Sequence, residues 1–400
     1  MTLPNTETYK SLSIQDFDYP LPDDRIAKYP LKERDHSKLL HYDGGAISEA
    51  HFYDLPDLLP KDALLVINDT RVIRARLIFH RPTGGRVEVF CLDPADPSLY
   101  ELSLSAKNTC VWHCLVGNSK KWKEGALTIE MPDGRTFSAE RVDVENGLVR
   151  FSWTGETAFG EMLEQLGELP IPPYLNRDTE ESDLTTYQTV YAVQEGSVAA
   201  PTAGLHFTEE VLRKLRDKGI RIAKLTLHVG AGTFLPVKGQ TMGEHKMHSE
   251  VIRVTRETLK AIFEQKKSGH PIVAVGTTST RTLESLYYMG VNVLLGNPKP
   301  YHVEQWDPYG EKFGRITTLE ALAALQAEEV LGETRLLIEP GFTYRLVDKL
   351  ITNFHQPHST LLLLIAAFIG EDWKRVYDYA LSHDFRFLSY GDSSLLEPAK

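Results

Sequence analysis

Apolar and polar residues alternate along 223–229, with Ala223, Leu225, Leu227 and Val229 on one side and Lys224, Thr226 and His228 on the other. A period of two predicts a strand. Just before it, Thr208 offers an N-cap, Glu209 and Glu210 acidify the first turn, Val211, Leu212 and Leu215 form an apolar stripe, and Gly219 supplies a stop. These signals predict a short amphipathic helix. Two continuous apolar runs, 63–67 and 271–275, read as strands buried on both faces, and 350–355 reads as a third strand. The first leads into Asn68-Asp69-Thr70-Arg71, the second into Gly276-Thr277-Thr278-Ser279-Thr280-Arg281, and the third contains Asn353 and His355. The run 361–369 is apolar on every side and predicts a core helix. Further helices are predicted at 319–331 and 372–381.

Between residues 72 and 155 the texture changes. Short β-like runs at 74–79, 86–92, 100–106, 111–116, 126–130, 136–141 and 149–153 are separated by turns such as Pro82-Thr83-Gly84-Gly85, Pro132-Asp133-Gly134 and Asn146-Gly147. Strands at this spacing predict a small antiparallel β-barrel. The expectation is an α/β protein whose large mixed α/β domain, residues 1–71 and 156–400, is interrupted by an inserted small barrel domain, residues 72–155.

Composition adds limits. At 400 residues there is room for two cores, and 42% hydrophobic with 25% charged residues is ordinary for a globular enzyme. The longest apolar run is too short to span a bilayer, so no membrane association and a cytoplasmic location are expected. Three cysteines, Cys91, Cys110 and Cys114, are too few and odd in number for a disulfide framework, and their spacing lacks the pairs of a structural zinc site. A net charge of −11 disfavours nonspecific binding to phosphate backbones, so a nucleic-acid partner needs a local basic patch. Arg71, Arg74 and Arg76 offer one, and Lys120, Lys121 and Lys123 around Trp122 another.

Tyr187-Gln188-Thr189-Val190-Tyr191-Ala192, Pro201-Thr202-Ala203-Gly204-Leu205-His206-Phe207 and His228-Val229-Gly230-Ala231-Gly232-Thr233-Phe234 resemble the signature blocks of the S-adenosylmethionine:tRNA ribosyltransferase-isomerase family of queuosine biosynthesis. Asn68-Asp69-Thr70-Arg71-Val72, Met247-His248-Ser249-Glu250, Gly276-Thr277-Thr278-Ser279, Thr352-Asn353-Phe354-His355 and Ser389-Tyr390-Gly391-Asp392 agree in order. The last block departs where Ser393 and Ser394 follow the aspartate, and residues 291–332 match least. The resemblance implies a mixed α/β domain interrupted by a small closed barrel. It also implies S-adenosylmethionine as a co-substrate, no metal, and tRNA carrying 7-aminomethyl-7-deazaguanine as partner. The ribose carbons of S-adenosylmethionine move to the aminomethyl group and rearrange to an epoxycyclopentane while adenine and methionine leave. A monomer is expected.

That chemistry needs a base near the ribose, a proton donor for adenine and a neutral amine. An amine with a lysine-like pKa costs about 4.6 kcal/mol to deprotonate at pH 7, which a base or a desolvated pocket must offset. Asp69, His206, His228, His355 and Asp392, at element ends, are the candidate proton handlers, the first four as the catalytic set. Thr202, Gly204, Gly230, Gly232, Thr277, Thr278 and Ser279 are candidates to hold the cofactor. Arg71, Arg74, Arg281, Asn353 and Asp392 are candidates to hold substrate. Alternatives stay open at several of these: Asp69 and Arg71 also fit a mutual ion pair, and Ser279 or Thr280 fits simple helix capping. No G-x-G-x-x-G follows a first strand, which argues against an ordinary Rossmann methyltransferase. Two other classes compete: a metal-dependent hydrolase using His245, His248, His355 and His358, and a noncatalytic tRNA-binding protein.

Overall fold

A computed structural model describes residues 6–81, 83–122, 124–230, 239–310 and 313–398. Its frame is a ten-stranded mixed sheet whose middle is parallel: Arg221–Leu227, Leu64–Asn68, Ile272–Val275 and Lys349–Asn353 lie side by side in that order. Burial on both faces explains the unbroken apolar runs 64–67 and 272–275 within strands Leu64–Asn68 and Ile272–Val275. Leu64 and Val66 join the core on one side of the sheet, and Leu65 and Ile67 join the core on the other. The first side is covered by Gly276–Leu294 and by Thr360–Ile369, apolar at every position after Thr360, and the second by Glu209–Asp217. The Thr208 hydroxyl caps this last helix by accepting from the Val211 N–H at 3.2 Å.

The flanking strands run so that chemistry collects at one edge. Glu250–Thr255 is antiparallel to Arg221–Leu227, and Ser393–Glu397 is antiparallel to Lys349–Asn353. Their first residues therefore meet the last residues of the parallel strands. Lys38–Asp43 runs parallel to Ser393–Glu397 and starts at the same edge. This is the carboxyl edge, where open α/β sheets place ligands.

Residues 76–168 contribute a second, seven-stranded antiparallel sheet that curls over its own core, with Phe79, Trp112, Phe137 and Phe151 all fully buried. Its first and last long strands, Arg76–His80 and Leu127–Glu130, approach each other, but the hydrogen-bonded ladder does not run between them. The sheet is thus a curled half-barrel. Its core extends past residue 155 to Phe159, Met162 and Leu163, and its edge to Gly167–Glu168.

Two elements differ from expectation. Tyr100–Leu104 is a helix, because Tyr100, Ser103 and Leu104 are buried at helical spacing while Leu102 is 55% exposed. A strand would have buried Leu102 with them. The helix expected at 319–331 stops early: Thr318–Ala324 is helical behind a Thr317 and Glu320 capping box, and Glu329–Thr334 is a strand paired to Glu250–Thr255. Val330 points in and Leu331 out, so cross-strand pairing decides the outcome.

Candidate active site

A cavity of ≈ 510 Å³ opens at the carboxyl edge, between the loop that contains Thr202, the start of helix Gly276–Leu294, and the turn from Asn353 to Thr360. Thr202, Thr277, Thr278, Arg281, Asn353 and His355 are all in its wall. His206 is one step behind, its Nε2 3.0 Å from Asn353 Nδ2.

One end gathers hydrogen-bond donors that the fold leaves without partners. Gly276–Leu294 has Val275 at its N-cap, with no side-chain cap, so the first N–H groups of the helix carry none of the expected Ser or Thr caps. Thr280 instead bonds its own helix, donating to the Gly276 carbonyl at 3.0 Å, and Ser279 is fully buried outside the cavity wall. Arg281, only 6% exposed, pairs through Nη1 with Glu250 and donates from Nε to the Leu336 carbonyl at 3.1 Å. Its Nη2 and the Thr278 hydroxyl have no partner. Burial works to raise Glu250, yet Arg281 and His248 outweigh it and hold its carboxyl at about 2. His248 Nε2 lies 3.1 Å from Glu250 Oε1.

The three histidines expected to handle protons are all neutral. Burial pushes His206, His228 and His355 down to about 4 each. His355 Nε2 is 2.8 Å from the Thr352 hydroxyl, and the His355 backbone N–H donates to the Tyr377 hydroxyl at 3.0 Å. His228 stacks on Tyr100 of the curled sheet, with ring centroids 4.3 Å apart. Gly196 permits that stack: its φ is +136°, and a Cβ there would come within 2.6 Å of Tyr100 and 2.8 Å of His228.

The structure does not gather the remaining expected residues in the cavity. The Asp69 carboxylate accepts from the Thr226 hydroxyl at 2.8 Å while Arg71 is exposed, so a mutual ion pair does not close that turn. Burial raises Asp69, with Thr226 opposing. Arg74 pairs with Glu164 at 3.3 Å. Asp392 uses both oxygens within the fold, accepting from the Lys38 and Arg386 N–H groups at 3.0 and 2.7 Å. Gly204 is required by packing, since a Cβ there would meet the Tyr191 hydroxyl at 2.2 Å. Gly230 lies beside His248 and Asp93, and Gly232 falls outside the described residues. Trp122 is buried, which removes it as a stacking platform for RNA.

Four groups had no site role assigned from the sequence. Ser37 bonds His206, Glu250 pairs Arg281, and Asp93 accepts from Tyr100 at 2.7 Å at the seam between the two sheets. The fourth, Glu339, is fully buried, with both carboxyl oxygens unpartnered and burial pushing it up to about 8. Its folded value exceeds the unfolded one, so its stabilisation is complete below the ordinary carboxylate range and is lost as pH rises to about 8. From pH 6.5 to 9 that loss is about 2 kcal/mol. Glu339→Gln is expected to abolish it, visible as a smaller alkaline drop in melting temperature than in the unmodified protein.

His245, His248, His355 and His358 all line the cavity, yet among the described residues no three His, Cys, Asp or Glu side chains are grouped to hold a metal ion. No described helix is long and apolar enough to cross a membrane.

A mixed α/β sheet with a polar-ended cavity at its carboxyl edge, joined to a curled β-sheet, defines an α/β enzyme architecture. The chain belongs to the queuosine biosynthesis protein family, whose model matches residues 14–396. It is 40% identical over 387 residues to the S-adenosylmethionine:tRNA ribosyltransferase-isomerase of Trichlorobacter lovleyi, covering 96% of this chain and 99% of that protein. It is 39% identical to the enzyme of the same name from Nitrosospira multiformis, covering 97% and 99% respectively. A solved S-adenosylmethionine tRNA ribosyltransferase from Thermotoga maritima is 28% identical, covers 95% of this chain and 99% of that one, and superposes with a TM-score of 0.48.

Proposed function

We propose that this chain transfers and isomerises the ribosyl group of S-adenosylmethionine onto the 7-aminomethyl-7-deazaguanine base of tRNA, giving epoxyqueuosine-tRNA and releasing adenine and methionine. The observation that carries this reading is near full-length identity of about 40% to proteins named for that activity. The same names favour it over a noncatalytic tRNA-binding protein or a metal-dependent hydrolase.

The cavity fits the co-substrate at one identifiable point. The unpartnered Arg281 Nη2, the Thr278 hydroxyl and the uncapped helix start suit the methionyl carboxylate. S-adenosylmethionine supplies an activated ribose, the sulfonium acidifying the adjacent carbon. Neutral histidines accept protons without adding positive charge beforehand beside a sulfonium. His355 is the one placed in the wall, His228 and Asp93 belong to the seam through which the tRNA base is proposed to enter, and Asp69 bonds Thr226, two residues before His228. Arg71, exposed beside that seam, is proposed to meet the tRNA backbone. The core of the curled sheet carries the inserted domain past its expected end at residue 155 to Glu168, so on the same reading the large domain comprises residues 1–71 and 169–400, and the enzyme acts as a cytoplasmic monomer.

The test is to incubate the purified protein with S-adenosylmethionine and tRNA bearing the aminomethyl base. Free adenine, free methionine and the modified nucleoside are expected together by mass spectrometry, and none when that base is missing. Bound tRNA without adenine release overturns the reading.

A further inference from the structure

Asn353 ends strand Lys349–Asn353 in the cavity wall, and its surroundings fix its amide in one orientation. Nδ2 faces three acceptors: the Leu388 carbonyl at 3.1 Å, the Asp392 carbonyl at 3.4 Å and His206 Nε2 at 3.0 Å. Turning the amide over would press Oδ1 against two carbonyl oxygens, acceptor against acceptor. His206 Nε2 must then be the bare nitrogen of the ring. The proton is on Nδ1, which donates to Ser37 Oγ at 2.8 Å. Burial keeps His206 neutral at pH 7, so this tautomer persists. The consequence falls on Oδ1 of Asn353, which has no partner although the residue is only 2% exposed.

A buried carbonyl oxygen without a donor marks a place for one. The wall around it is neutral and partly aromatic. Leu388 and Ser389 are in it, as is Tyr174, whose hydroxyl bonds Ser389. A flat, uncharged ring with an N–H edge suits those neighbours, whereas the Arg281 end suits an anion. Resting on the ribosyl-transfer reading above, we propose that Asn353 Oδ1 accepts a hydrogen bond from the exocyclic amino group of a purine-type base. Ser37 and His206 are the positioning pair that aims it. Both bases in the reaction carry such a group, adenine of S-adenosylmethionine and the 7-deazaguanine of tRNA.

The experiment compares S-adenosylmethionine with its 6-oxo analogue, S-inosylmethionine, in the unmodified enzyme, Asn353→Leu and Ser37→Ala. If adenine is the donor, the unmodified enzyme prefers S-adenosylmethionine by about 30-fold or more in kcat/KM, and Asn353→Leu reduces that preference to within about threefold. If the tRNA base is the donor, the preference is unaltered while Asn353→Leu raises the tRNA KM about tenfold and leaves the S-adenosylmethionine KM in place. Ser37 lies outside the cavity wall, and Ser37→Ala frees the other His206 tautomer. That variant is expected to give the same change in weaker form, which keeps the test available if Asn353→Leu does not fold. Unchanged preference and unchanged KM for both substrates in a folded variant overturn the proposal. Absence of adenine release from the unmodified enzyme overturns the ribosyl-transfer reading instead.

Discussion

Arg281→Leu is expected to cost about 3–5 kcal/mol of stability, because it strands the Glu250 carboxylate in the core. Arg281 is 6% and Glu250 1% exposed, so solvent does little to screen the pair, and His248 alone is left to face the charge. Removing both charges is milder than removing one, since no uncompensated ion remains. Arg281→Leu with Glu250→Leu should therefore recover most of the loss in urea titrations. The double variant also separates structure from ligand binding. If Arg281 Nη2 holds the methionyl carboxylate, the folded double variant binds S-adenosylmethionine at least tenfold more weakly by calorimetry. Affinity equal to that of the unmodified protein would remove Arg281 from the site.

Glu284→Leu is expected to be as damaging without touching the cavity. Glu284 is fully buried on helix Gly276–Leu294, and its carboxylate accepts the backbone N–H groups of Arg345, Leu346 and Val347 at 2.8, 3.0 and 2.9 Å. Leucine leaves two buried donors and one half-buried donor unsatisfied, at about 1–3 kcal/mol for each buried one and less for the third, together on the order of 5 kcal/mol, against a total stability of about 5–15 kcal/mol for a folded domain. Glu284→Gln keeps one acceptor oxygen and should lose roughly half as much. The midpoint of urea unfolding orders the three proteins, and a leucine variant within about 1 kcal/mol of the original would refute the account of how this helix is anchored.

The parallel centre of the large sheet was legible because Leu64–Asn68 and Ile272–Val275 are buried on both faces, which leaves apolar runs that no turn residue interrupts. The helix at Tyr100–Leu104 was not, since Tyr100, Leu102 and Leu104 fit period two as well as a single helical turn. Short segments carry too few periods to decide. Loops at strand ends pointed to Thr202, Thr277, Thr278, Arg281, Asn353 and His355, and the fold brings these together because parallel strands end at one edge. Glycines and aspartates in the same blocks serve packing instead, as Gly204 against Tyr191 and Asp392 against Lys38 and Arg386 show. Ser37 was unreadable as a site residue because its partner His206 is 169 positions away and only the sheet order makes them neighbours.

The fate of the ribose carbons separates ribosyl transfer from methyl transfer. With S-adenosylmethionine labelled by carbon-13 at all five ribose positions, the tRNA nucleoside is expected to gain five labelled carbons, together with unlabelled adenine and unlabelled methionine. Label retained in S-adenosylhomocysteine, with a single unlabelled methyl group on the tRNA, would contradict it.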